Sequence, residues 1–291
     1  DGDGDVASAS ASVDVGGAFT FLDDGPRVVV GDGGGGAVRA LTVDESSLGV
    51  IATSNFAGLV GGPGIDFGAD GEGGQVSAFS LHISADGVDS QLVDTATGEA
   101  VLLRMNGDTL EGYLQNSDLI AFTLSLDPIN AQATLQQERA LRHPDPDNDD
   151  ERLTLVSDMV WISRTTTATD GDGDSVVHEG SALLGGWIGF RDDGPEIDLI
   201  VVGDAPTLTV DETQLGVAAS ASFAGVFEAA SQFGADGPGD VVRAYQLEVA
   251  YDGVDSGLRD TATQQAVLLY TTATGVEGRL ASGEIVFTVV L

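Results

Sequence analysis

The residues best suited to chemistry in this chain are aspartates set two apart. DGDGD at 1–5 puts Asp1, Asp3 and Asp5 on alternate positions, and the same pentapeptide at 170–174 repeats the pattern with Asp170, Asp172 and Asp174. The glycines between them allow a tight backbone path, so three carboxylates can converge on one hard cation. Calcium is such a cation: it takes oxygen ligands from carboxylates and backbone carbonyls. An EF-hand is excluded, because no helix precedes either motif and the twelfth position counted from Asp170 is Ser181, not an acid. A solvated acidic turn is the competing reading. Repetition favours calcium, since each pentapeptide is followed at the same distance by DDGP, which supplies Asp23 and Asp24 and then Asp192 and Asp193. A cation held there would neutralise repulsion between adjacent acidic modules and stiffen the joint. A plain turn ended by Gly-Pro is the alternative.

Other motifs carry less. HPDPDNDDE at 143–151 is the densest acidic run, but its prolines and lack of apolar anchors predict an exposed loop. His143 within it is weak evidence for a transition-metal ligand, and His82 and His178 show no pairing such as HxxxH. GDGGGG at 31–36 has dinucleotide-loop spacing, yet AVRALTV follows it rather than a helix. GGPGID at 61–66 begins like a calcium β-roll nonapeptide, but it is a single copy with Gly68 in the apolar place. Catalysis has little support: there is no Cys, no GxSxG, no HExxH and no Ser/His/Asp set in both halves. We therefore expect no enzyme.

The elements that must position these acids come in two copies. LTVDESSLGV at 41–50 returns as LTVDETQLGV at 208–217, and FGADG at 67–71 returns at 233–237. DGVDS at 86–90 returns at 252–256, DTATGEAVLL at 94–103 returns as DTATQQAVLL at 260–269, and Glu111-Gly112 returns as Glu277-Gly278. The segment 127–169 occurs once. A period of this size fits a whole globular domain rather than a solenoid turn. We expect one complete module at 27–195, the last strands of a preceding module at 1–26 and the front of a following one at 196–291. With Asp rather than Met at position 1, the chain reads as a window on a longer tandem array.

Within a module, short β-rich runs alternate with Gly/Asp/Asn turns about every ten residues, as in a sandwich or barrel. AFTFL at 18–22, RVVVG at 27–31, AVLLRM at 100–105 and IAFTLSL at 120–126 are expected strands. In SAFSLHIS at 77–84, Phe79, Leu81 and Ile83 share one face; VVRAYQLEVAY at 241–251 is the second-copy equivalent. PINAQATLQQERAL at 128–141 reads as strand in preference to helix. Trp161 and Trp187 fall in strand-like runs and are expected to be core residues. The fold class expected is all-β: tandem Ig-like or related β-sandwich modules with acidic Gly/Asp turns.

Composition limits the partners. Forty-seven Asp and Glu face 11 cations, all Arg, for a net charge of -36. Nucleic acid and anionic lipid are bound by clustered cations, so neither is expected. No apolar run is long enough to span a membrane as a helix, and residues 1–10 lack the basic start and apolar core of a signal peptide. Hydrophobic residues at 42% exclude a disordered acidic tail.

Taken in order, LTVDES, FGADG, ADGVDS, LVDTATGEAV, EG, HPDPD, ATDGDGD and DDGP resemble the long tandem repeat of giant type I-secreted RTX adhesins, across essentially the whole chain. That resemblance implies β-sandwich extender modules of an extracellular, calcium-dependent bacterial surface adhesin or biofilm protein. Such modules project a distant tip toward a host or biofilm ligand, and their partners are neighbouring repeats or a polymer of like chains. The family's ligands are not carried over individually, because the acidic turns compete for that role. A calcium-dependent carbohydrate- or protein-binding sandwich is the alternative; it would need exposed Trp or Tyr.

Overall fold

The protein is described by a computed structural model covering residues 1–29 and 35–291. The run Gly31–Gly34 of the glycine-rich motif lies outside the described residues. A chain rich in Val, Leu, Ile and Thr, with turn residues every few positions, builds strands. Among the described residues the only helices are 3-10 turns of three residues. The fold is all-β and sandwich-like.

The first copy and the unique segment supply fourteen of the described strands. They are β1 (Arg27–Val29), β2 (Leu41–Asp44), β3 (Ile51–Asn55), β4 (Gly64–Asp66), β5 (Glu72–Ile83), β6 (Val88–Val93) and β7 (Ala100–Asn106). There follow β8 (Thr109–Leu114), β9 (Ile120–Leu126), β10 (Gln132–Gln137), β11 (Arg152–Thr154), β12 (Val160–Asp170), β13 (Ser175–Leu183) and β14 (Ile188–Arg191). One layer is the six-stranded sheet β3-β10-β9-β8-β7-β6; facing it are β13-β12-β5 and β11-β14-β2, and β1 pairs with β4. The ladders are antiparallel except β14 against β2, where Ile188 lies opposite Leu41 and Arg191 opposite Asp44. The ambiguous run at 128–141 is indeed strand, as β10.

The core fills the space between the layers. Phe122 of β9 meets Phe190 of β14 with ring centroids 4.8 Å apart and tilted by 53°, an arrangement aromatic pairs favour. Phe56, Leu103, Leu124, Leu135 and Ile162 are fully buried around them. Each such side chain contributes about 1.5–3 kcal/mol by leaving water. Phe79 and Leu81 of β5 point inward as their alternation predicts, and Ile83 packs beside them. Trp187 also packs on this core, but from the 3-10 turn Gly185–Trp187 rather than a strand. Trp161, in β12, is half-buried and stacks on His82 at 5.7 Å.

The second copy forms β15 (Glu196–Val201), β16 (Phe227–Gln232), β17 (Val254–Arg259), β18 (Ala266–Thr272), β19 (Gly275–Arg279) and β20 (Ile285–Val290). The β15–β16 pair reproduces β1–β4, and the sheet β17-β18-β19-β20 reproduces β6-β7-β8-β9. Register is kept: Val88 faces Leu103 in one copy and Val254 faces Leu269 in the other. The chain forms two compact units, Asp1–Pro238 and Gly239–Leu291, a division that falls inside the second copy.

Two expected strands do not form. Residues 241–251 form no strand: their first-copy equivalent, in β5, pairs with β12, and the segment carrying β12 occurs once. Of residues 18–22, Ala18 ends the 3-10 turn Gly16–Ala18 and 19–22 form no strand, and Phe19 and Phe21 are exposed. The equivalent stretch after Gly185 becomes β14 because β2 and β11 flank it. No β-core covers Phe19 and Phe21 among the described residues.

Candidate functional site

The repeated DDGP and FGADG motifs meet in space, and they do so twice. In FGADG the glycine adopts φ of +70° at Gly68 and +69° at Gly234, a left-handed bend that side chains resist. The bend turns the next backbone N–H toward the second DDGP acid. Ala69 N–H donates to Asp24 at 3.2–3.3 Å, and Ala235 N–H donates to Asp193 at 3.0–3.1 Å. Glycine is needed for a second reason: a Cβ on Gly234 would lie 2.6 Å from Asp193 Oδ2, and one on Gly68 would overlap Asp24. The first acid of each DDGP, Asp23 or Asp192, then stands beside the acid of FGADG, Asp70 or Asp236. Ligand atoms of each group lie within 4.8 Å of one another.

At the first joint the DGDGD turn completes the set. Asp170 ends β12 at a bulge, and its Oδ1 accepts from Gly173 N–H at 3.1 Å and Asp174 N–H at 2.8 Å. Its Oδ2 is buried with no protein partner. Asp172, on the same turn, joins Asp23 and Asp70, while Asp170, Asp172 and Asp174 form an overlapping group. The charges are strained together. The neighbouring Asp170 carboxylate, and then desolvation, raise the Asp172 carboxyl above its usual range. Desolvation and then the charges of Asp23, Asp24, Asp170 and Asp174 raise that of Asp70. A divalent cation reverses this repulsion, and an all-oxygen donor set with an orphaned buried carboxylate oxygen fits calcium. The first DGDGD brings Asp1, Asp3 and Asp5 together as well, but all three are exposed.

At the second joint different groups meet Asp192 and Asp236. Glu45, in the 3-10 turn Glu45–Ser47 after β2, is 2% exposed. Its Oε1 accepts from Gln137 Nε2 and Leu141 N–H, both at 2.8 Å, and its Oε2 has no partner. His143, with its side chain 3% exposed, places Nε2 3.5 Å from Glu45 Oε1 and Nδ1 3.9 Å from Glu151 Oε2. Burial pulls the imidazole pKa down, but Glu45, Asp192 and Glu151 outweigh it and hold the ring above its ordinary value. Burial likewise pushes Asp192 up, against the attraction of His143 and with the repulsion of Asp236 and Glu45. A cleft of about 200 Å³ opens over His143, Asp192, Asp193 and Asp236.

The structure thus gathers Asp23, Asp170, Asp172 and Asp174 at one place and Asp192 and Asp193 at another, while Asp24 and Asp193 act as backbone clamps. The expectation that 143–151 is simply an exposed loop is corrected at its first residue, whose side chain folds inward. Sequence reasoning also passed over Glu45, Asp70 and Asp236. The signal was present, because VDE and FGAD are repeated, but so are acids with no such role. Asp86 and Asp252 accept from Met105 and Thr271 N–H at 3.1 and 2.9 Å, each fastening a hairpin. Asp94 and Asp260 each accept from the Thr three residues on.

Fold and site together define an all-β repeat protein whose acidic turns converge at recurring joints. The chain belongs to the family described as a domain of unknown function, DUF5801, matching it over residues 40–180 and again over 207–291, one match per copy. No curated protein matches it. No helix among the described residues is long and apolar enough to cross a membrane.

Proposed function

We propose that this chain is a structural extender: tandem β-sandwich repeats of a secreted bacterial surface adhesin or biofilm protein, stiffened by calcium. The observation that supports this most is the joint built twice. DDGP docks on FGADG through Asp24 and Asp193 with the same hydrogen bond, and each docking leaves a further pair of acids, Asp23 with Asp70 and Asp192 with Asp236, side by side. An enzyme gains nothing from repeating an acidic turn; a spacer needs a joint at every repeat. Calcium would be held by Asp23, Asp70 and Asp172, with the orphaned Asp170 oxygen beside them, and would supply the positive charge that lets these carboxylates stay ionised together. The chain's own part is to fix the acids through the Gly68 bend and the Asp170 turn. No enzymatic role is proposed.

The alternative, a calcium-dependent carbohydrate- or protein-binding module, calls for exposed Trp or Tyr. Trp187 packs on the core and Trp161 is half-buried against His82, whereas Tyr245 and Tyr251 are exposed. Small-angle scattering of the chain tests the extender reading. Millimolar calcium should give a narrower distribution of end-to-end distances than chelator does; identical profiles in both would refute it.

A further inference from the structure

We propose that Glu45, His143 and Asp192 form a site for a divalent transition-metal ion of the zinc class, separate from the all-oxygen calcium joint. Three observations carry it. The first is convergence: one ligand atom from each of the three residues lies within 4.8 Å of the others. They come from distant stretches of chain: the turn after β2, the loop after β10 and the end of β14.

The second is that buried polar atoms are left over. Glu45 Oε2 and both ring nitrogens of His143 have no hydrogen-bond partner, although the two side chains are almost wholly buried. Buried polar atoms in folded proteins are normally paired. A Glu45–His143 ion pair does not account for them. The 3.5 Å from Nε2 runs to Glu45 Oε1, beyond hydrogen-bond length, and that oxygen already accepts from Gln137 and Leu141. Glu45 is therefore held by one oxygen with the other free, as a ligating carboxylate is held by its surroundings. Glu151, 3.9 Å from Nδ1, stands where the outer carboxylate of a metal-bound histidine would be.

The third is donor chemistry. Calcium takes oxygen ligands, whereas one imidazole with carboxylates suits zinc and its neighbours. Three protein ligands with a water in the fourth place are a usual zinc set, and two of the three, His143 and Asp192, line the cleft. The segment carrying His143 occurs once, so the chain has one such site, and a metal there would tie the DDGP end of β14 to the turn after β2.

The test is a zinc titration of the metal-stripped full chain in excess calcium, followed by calorimetry. One zinc per chain should bind above the calcium background. His143→Gln and Glu45→Gln should each weaken it by about tenfold or more, while His178→Gln leaves it unchanged. Cobalt in place of zinc should give visible ligand-field bands in the wild-type chain that His143→Gln abolishes; the wild-type spectrum reads the imidazole ligand even if a variant folds poorly. Zinc affinity unchanged in folded His143→Gln, absence of cobalt bands in the wild type, or equal displacement by calcium would each overturn the proposal. None of these outcomes touches the calcium joint at Asp23, Asp70 and Asp172.

Discussion

Asp94 shows how a carboxylate in so acidic a chain can stabilise it. Its side chain is 1% exposed and pairs with Arg139, Nε to Oδ1 at 2.7 Å, while Thr97 donates from both N–H and hydroxyl to Oδ2. Burial pushes its carboxyl up, but the Arg139 and Thr97 hydrogen bonds outweigh that and hold it below the usual range. A depressed folded value means stability present above the ordinary carboxyl pKa, about 3.9, and lost as pH falls through the folded one. Asp94→Asn should therefore cost about 1.5–3 kcal/mol at neutral pH, the range for hydrogen bonds to a charged group. Denaturant melts across pH should show the gap to wild type closing below about pH 4; a gap that stays constant would contradict the assignment. At this scale the sequence was only partly legible. Asp170, Asp172 and Asp23 stood out through spacing and repetition. His143 stood out only weakly and Glu45 not at all, because what marks them is burial and an unpaired atom, and neither has a signature in one dimension.

The hairpins were the most legible elements. IAFTLSL emerged as β9 with its expected ends, and AVLLRM lies within β7, because each finds its partner within a few residues and alternation alone fixes the buried face. The repeated Glu-Gly is explained at the same scale. Gly112 lies opposite Phe122 in the β8–β9 ladder, and a Cβ there would overlap that fully buried ring. Gly278 and Phe287 repeat the arrangement. Gly112→Ala should lower stability by about 1–3 kcal/mol, the usual cost of overpacking, and Gly278→Ala by less, because Phe287 is only half-buried. Urea midpoints of the two variants check the order; an unchanged midpoint for Gly112→Ala would show that the ring moves freely. The strands at 18–22 and 241–251 were misread for the converse reason. Their alternation is sound, but the segment that supplies β11 and β12, which pair with their equivalents, occurs once. Burial follows pairing: Leu41 is 1% exposed in β2, and its equivalent Leu208 is 39% exposed.

For the whole molecule the governing quantity is a net charge of -36. Self-repulsion of that size opposes compactness, and the joints concentrate it by drawing acids from distant segments together. A cation bound only by the folded joint stabilises it by mass action, so the account rests on whether calcium acts there specifically. The all-β class and the repeat were readable because period and alternation survive in a linear string. Which acids meet was not, since Asp23, Asp70 and Asp172 are brought together only by folding. The most direct measurement is the melting temperature of the chain and of Asp70→Asn in chelator, in calcium, and in magnesium at matched ionic strength. The account predicts a rise in wild type at roughly 10⁻⁴–10⁻³ M calcium, as for extracellular calcium modules, smaller in magnesium and diminished in Asp70→Asn. An identical melt in chelator and calcium, or an equal rise with magnesium in both proteins, would contradict it.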